Sequence, residues 1–205
     1  YYKPRRMNFG ALRVLNDDRV EAGKGFGIHP HKNMEIISIP LKGKLKHGDS
    51  NKNSRTITIG DIQTMSAGTG IYHSEMNGSD TEPVEFLQIW VMPEKLNTPP
   101  AYRDYDIRPF LRKNELALIV SPDGDAPAKM LQQTWFSIGE IEAGKKIGYH
   151  MHQSHAGVYI FVIEGEVKVD DTVLSRRDGM GVYDTHSFEL ETLKDSHILL
   201  MEVPM

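Results

Sequence analysis

Glu21-Ala22-Gly23-Lys24-Gly25-Phe26-Gly27-Ile28-His29-Pro30-His31 aligns without gaps on Glu142-Ala143-Gly144-Lys145-Lys146-Ile147-Gly148-Tyr149-His150-Met151-His152, and seven of the eleven positions are identical. Each copy then runs through an apolar stretch into a glycine turn, Leu41-Lys42-Gly43 and Ile163-Glu164-Gly165, with a one-residue offset. Self-similarity of this kind indicates duplication, here of a domain of about a hundred residues. Around the repeat, short apolar runs recur at 36–41, 56–59, 86–91, 116–120, 135–138, 158–163, 167–169 and 197–203. Turn residues separate them, among them Asn77-Gly78, Pro122-Asp123-Gly124 and Asp178-Gly179. Short runs at such spacing predict an all-β protein. Only 97–112, with Pro99, Pro100 and Pro109 among charged residues, resists that reading and is expected to be an extended linker. The organisation predicted is therefore 1–96, a linker 97–112, and 113–205. Closed barrels or double-sheet jelly rolls are the architectures that keep such strands from presenting bare edges.

The chain has 205 residues and no cysteine, which excludes disulfides, thiolate zinc sites, iron–sulfur clusters and cysteine nucleophiles. Lys plus Arg number 24 against 28 Asp plus Glu, a net charge of −4 that argues against direct nucleic-acid binding. No stretch approaches the roughly eighteen apolar residues of a membrane helix, and Tyr1-Tyr2-Lys3-Pro4 carries no leader pattern. The expectation is a cytoplasmic protein without a membrane partner. The start without Met suggests that further residues precede Tyr1.

Side chains alternate along a strand, so His29 and His31 face one way with Cα atoms about 6.6 Å apart, and so do His73 and Glu75. A single His-x-His on a strand can be mere surface polarity. Two such pairs, each beside a glycine-rich turn, favour a metal held by three neutral imidazoles and a carboxylate. Glu35 competes for the carboxylate position. Along an unbroken strand it would lie about 13 Å beyond His31, whereas Glu75 needs no distortion, which leaves Glu35 as an outer partner. In the second half His150 and His152 recur, and His186 could supply a third donor. Gly157 stands at the position of Glu35, however, and Phe188 where Glu75 would correspond. A barrel that has lost its metal is the favoured reading there, with zinc on His150, His152 and His186 as the alternative.

Other features carry less. Gly23-x-Gly25-x-Gly27 precedes no helix and reads as a rim turn rather than a phosphate loop. Lys42, Lys44, Lys46 and Arg55 read as a solvated edge, and His47, His155 and His197 as turn or strand residues. Phe26, Met34, Met65, Ile71 and Phe86 could line a pocket, though core is the commoner role.

Gly23-(five)-His29-x-His31-(three)-Glu35-(seven)-Gly43, followed by Gly60-(twelve)-His73-(three)-Asn77, resembles the two cupin motifs, with Ser66 where cupins often have proline. Four blocks are similar to the pirin family: Ala11 to Asp18, His29-Pro30-His31-Lys32-Asn33-Met34-Glu35, Met65 to Glu75, and Gln88-Ile89-Trp90-Val91-Met92-Pro93. They run through the first ninety-odd residues, while the second half resembles a degenerate cupin. The resemblance implies a monomeric bicupin of two tandem double-stranded β-helix barrels. It places one divalent metal, iron first and otherwise zinc, manganese, nickel, copper or cobalt, on His29, His31, His73 and Glu75 of the N-terminal barrel. It also implies dioxygen and a small aromatic or enolisable substrate, with opening of a flavonol of the quercetin 2,3-dioxygenase type and Glu75 as catalytic base. The rival implication is an iron-dependent, redox-sensitive regulator that binds a protein partner without turnover.

Overall fold

The computed structural model describes residues 7–205. Among them lie nineteen strands and a 3-10 turn at Arg108–Phe110. The first set comprises β1 (Leu12–Val20), β2 (Gly25–His31), β3 (Glu35–Lys42), β4 (Lys44–Asp49), β5 (Ser54–Thr58), β6 (Asp61–Ser66), β7 (Ile71–Asn77), β8 (Val84–Val91) and β9 (Ala101–Asp106). They pair into two antiparallel sheets ordered β1-β8-β3-β6-β9 and β2-β7-β4-β5. The second set comprises β10 (Ala117–Ser121), β11 (Ala128–Lys129), β12 (Trp135–Ile141), β13 (Lys146–His150), β14 (Ala156–Glu164), β15 (Glu166–Val169), β16 (Thr172–Ser175), β17 (Gly179–Tyr183), β18 (Ser187–Thr192) and β19 (Ser196–Pro204). Its sheets run β11-β10-β12-β19-β14-β17 and β13-β18-β15-β16. Removing β9 from one barrel and β10 and β11 from the other leaves identical strand orders, which is the duplication expected from the repeat.

Each predicted run lies on a strand, with only Ile59 and Leu116 falling just outside β5 and β10. The chain divides into a compact unit of Leu12–Arg108 with Ala128–Gln132, and another holding Pro109–Pro127 and Gln133–Met205 together with 7–11. The segment 97–112 is extended, as its prolines predict, but it is not a free linker. Its residues 101–106 form β9, which pairs with β6 over the whole of Asp61–Ser66. No helix among the described residues is long and apolar enough to cross a membrane.

Two apolar clusters lie in the N-terminal barrel. Ile36, Met65, Ala67 and Ile71 pack with Met34 and Trp90, while Leu45, Ile57, Val84 and Phe86 pack with Val20. Four of the five proposed pocket residues are therefore cluster members, and Phe26 alone stays 43% exposed. The C-terminal core centres on Val158, Ile160, Val162, Leu190, Ile198 and Leu200, all fully buried. Packing at this density leaves the polar residues of the inner faces few places to point.

Candidate metal centre

The inner face of the N-terminal barrel is set by register. On β7, Ile71, His73 and Glu75 are buried while Tyr72 faces out, the alternation of a half-buried strand. β2 pairs with it irregularly: Phe26 lies opposite Glu75 and His29 opposite His73, with a shift between Phe26 and His29. Such an irregularity re-aims the side chains that follow it. Gly25 permits the close approach, since a Cβ there would stand 2.5 Å from the Glu75 carbonyl oxygen.

His29, His31 and His73 each offer a ring nitrogen within 4.8 Å of the others. Ring centroids lie 4.4–4.9 Å apart, and Nε2 of His73 stands 2.9 Å from Nε2 of His29. Two imine nitrogens that close need a proton or a cation between them. Nε2 of His31 and Nδ1 of His73 are buried with no hydrogen-bond partner among the described residues. Unpartnered buried acceptors are costly, so this donor set fits a divalent ion that would take up the lone pairs. Nδ1 of His29 is 2.8 Å from the Gly27 carbonyl, the outer contact that commonly orients a metal-binding imidazole.

Charge agrees with that role. Burial, helped by the neighbouring His29 ring, pushes His31 down to about 4, and burial with the His29 and His31 rings beside it pushes His73 down to about 3. Both rings are thus neutral and free to coordinate at neutral pH. The unfolded chain takes up these protons near pH 6.5 while the fold does not. Stability of the metal-free protein is therefore complete above that value and falls as pH drops below it, by up to about 1.4 kcal/mol per pH unit for each imidazole. The loss levels off near pH 4 for His31 and pH 3 for His73. Urea midpoints of chelator-treated protein at pH 7 and pH 5 measure it, and equal midpoints would contradict neutral burial of the pair.

Glu75 lies beside this group without being drawn into it. It is 2% exposed, accepts a hydrogen bond from Ser38 Oγ at 3.0 Å, and accepts another from Gln88 Nε2. Burial pushes its carboxyl up, against the pull of Gln88 and Ser38. Trp90 Nε1 donates to Gln88 Oε1 at 3.1 Å, which fixes which end of the Gln88 amide meets Glu75, and the same indole packs edge-on against His31. Glu35 is absent from the imidazole group because the chain does not continue straight from β2. It turns at Asn33, whose φ is +50°, so His31 ends one strand and Glu35 begins another in the opposite sheet. There Glu35 accepts from Ser66 Oγ at 2.7 Å, with burial pushing its carboxyl up.

His47, which the sequence reads only as a turn or strand residue, belongs to this neighbourhood. It is 1% exposed, stacks on Tyr102 of β9 at 4.2 Å, and lies 5.4 Å from the His73 ring. Its Nε2 is 3.1 Å from Asp49 and its Nδ1 3.2 Å from Gln63, so both nitrogens are engaged. The alternation Leu45-x-His47-x-Asp49 was the available signal.

The C-terminal histidines are not brought together: among the described residues the single metal-capable group is the N-terminal one. β13 pairs with β18 without a shift over Lys146–His150, so Tyr149 is buried and His150 exposed. His186 is exposed as well. His152, the counterpart of His31, is held at 2.8 Å by Glu202 and lies flat on Trp135 at 4.9 Å. Glu35 pairs with Val91, and the aligned Gly157 pairs with Val203, so Glu202 occupies the position of Trp90. One barrel thus packs an indole edge-on against its histidine, while the other ties that histidine to a carboxylate. A side chain at Gly157 would have to displace the ends of Met205 and Phe9, since a Cβ there would stand 2.7 Å from Met205 Sδ and from Phe9 Cζ.

The pirin family model matches residues 1–91, and a quercetinase C-terminal cupin model matches 118–203. An Escherichia coli K12 protein named quercetin 2,3-dioxygenase is 38% identical over 209 residues, covering all of this chain and 87% of that protein. A pirin-like protein of Caulobacter vibrioides is 34% identical, covering 98% and 87%. Among solved structures, the E. coli bacterial pirin YhhW in complex with nickel(II) superposes with a TM-score of 0.93 at 36% identity, covering all of this chain and 87% of that one. With matching sequence motifs, two cupin barrels and a full-length likeness to a bacterial pirin, the chain belongs to the pirin family.

Proposed function

We propose that the N-terminal barrel is a metal-dependent dioxygenase centre that opens a flavonol such as quercetin, with iron as the resident ion. The observation that carries this is the convergence of three imidazoles in a chain similar over its whole length to a protein named quercetin 2,3-dioxygenase. His29, His31 and His73 would hold the ion. When bound, a divalent ion there supplies Lewis-acid and redox chemistry toward an aromatic hydroxyl and dioxygen.

The chain's own part is to place the substrate and move its proton. Glu75 is two residues from His73 on the inner face, and its burial favours uptake of a proton from a hydroxyl brought beside it. Ser38 and Gln88 hold one oxygen each, so the carboxylate presents a fixed direction. To act as a fourth ligand as well, Glu75 has to release one of those donors. Phe86, fully buried, helps keep bulk water from this side of the barrel.

Elemental analysis of anaerobically purified protein, followed by oxygen uptake with quercetin, tests the proposal. Near-stoichiometric iron with quercetin-dependent uptake is expected. Iron without uptake would favour a regulatory protein that binds a partner. Glu75→Gln is expected to keep its metal and lose about 10²–10⁴-fold in turnover, the usual contribution of a positioned base. Unchanged flavonol consumption by that variant would remove Glu75 from the mechanism.

A further inference from the structure

The inner face of the N-terminal barrel extends past Glu75 to β1, the edge strand of its sheet. Cross-strand partners share a face, and the pairing runs Asn16 to Gln88 and Asp18 to Phe86 between β1 and β8, then Gln88 to Ser38 and Ser38 to Gln63 across β3 and β6. Gln88 and Ser38 reach Glu75, so Asn16 and Asp18 lie on the same inward face, on the edge strand β1. Asn16 is exposed and Asp18 is half-buried. The neighbouring positions 17 and 19 point the other way, and Arg19 is occupied there by Glu21 and Glu85.

Asp18 finds no hydrogen-bond or ion-pair partner among the described residues. Its charge is nonetheless felt by Glu75, and its own carboxyl is pushed up by burial and by Asp17. A half-buried carboxylate without a donor is unfavourable in the free protein and improves when a donor arrives. Cations do not answer it from within, since no Lys or Arg among the described residues is buried. Arg55, a cation on the inward face opposite His47 in the pairing of β4 with β5, lies 3.8 Å from Asp104 of β9. That pair lies at the β5 and β9 edges, whereas Asp18 is on the β1 edge.

We infer that Asp18 is the specificity-determining residue at the mouth of this site, accepting a hydrogen bond from a hydroxyl of a neutral hydroxylated aromatic and repelling analogues that carry a carboxylate or sulfonate at that position. The inference rests on the small-aromatic reading of the site and names its substrate class. Like charges brought together in a poorly solvated site cost enough to change affinity by an order of magnitude or more. The selectivity belongs to Asp18 and not to the metal ligands.

The test uses metal-loaded protein under anaerobic conditions, so that binding is read without turnover. Dissociation constants of catechol and of 3,4-dihydroxybenzoate, which share the chelating hydroxyls and differ by one carboxylate, are measured by calorimetry for wild type, Asp18→Asn and Asp18→Lys. The ratio of the two constants is expected to move toward the acid by about tenfold in Asp18→Asn and further in Asp18→Lys. Raised salt should shrink the difference between the variants, because the mouth is partly open to solvent. Bound metal must be equal in all three proteins, and a loss confined to the variants would make Asp18 part of the metal site and overturn the assignment. An unchanged ratio across the series would overturn it equally. If the ratio moves as expected while quercetin is not consumed, the Asp18 assignment stands and the flavonol dioxygenase reading falls.

Discussion

Replacing His73 with alanine is expected to weaken divalent-metal binding by more than about 100-fold, the upper end of what loss of an outer-shell partner costs. His73 is 1% exposed and its ring contacts both His29 and His31, so no other side chain can swing in to replace it. Nδ1 or Nε2 of a neutral imidazole is the donor lost, and the vacated space is lined by the apolar Ile71 side of β7 and by His47, which is already engaged by Asp49 and Gln63. Competition with a chelator gives the affinity, and circular dichroism of the same samples shows that the barrel persists. The variant should also lose part of the acid sensitivity of the metal-free protein, because a buried ring held near pKa 3 has been removed. Wild-type affinity in His73→Ala would exclude this residue from the centre.

Replacing Glu202 with alanine is expected to destabilise the protein by about 3–5 kcal/mol, the usual cost of removing one partner from a buried charged network. Glu202 is fully buried and accepts from Tyr149 Oη at 2.9 Å, the His152 amide at 2.8 Å, the Gln153 amide at 3.2 Å and His152 Nδ1 at 2.8 Å. Alanine strands all four donors at once, and a buried donor without an acceptor bears its full desolvation cost. For a chain of this size the melting temperature should fall by about 10 °C or more. Glu202→Gln keeps the shape and some of the acceptor capacity, so a smaller loss of about 1–2 kcal/mol is expected. Urea unfolding followed by tryptophan fluorescence reads both, since Trp135 stacks on His152 beside the carboxylate. A change below about 1 kcal/mol in the alanine variant would mean that the network does not hold the turn after β13.

Much of the fold and part of the site were legible in the chain before folding was considered. Strand alternation is a local property with period two, so His29 with His31 and His73 with Glu75 could be paired onto faces from spacing alone. The duplicated segment at Glu21 and Glu142 likewise announced two barrels, and their common strand order follows. Glu35 stays outside the imidazole group as the spacing suggests, but for another reason than distance along one strand: the turn at Asn33 carries it into the opposite sheet. His47 escaped notice because its importance comes from β9, a segment whose prolines suggested only a linker.

Composition, spacing and the repeat determined by themselves an all-β duplicated protein with one histidine-rich face in its first half. Tertiary structure alone decided which repeat can gather its imidazoles. Both copies carry His-x-His, but the register shift between Phe26 and His29 brings His29 opposite His73, whereas the regular pairing of β13 leaves His150 outside and buries Tyr149. The residue facing the second histidine, Trp90 in one barrel and Glu202 in the other, comes from a strand more than forty residues away in sequence. Register and cross-sheet partners are set by long-range pairing and packing, which a period of two cannot encode.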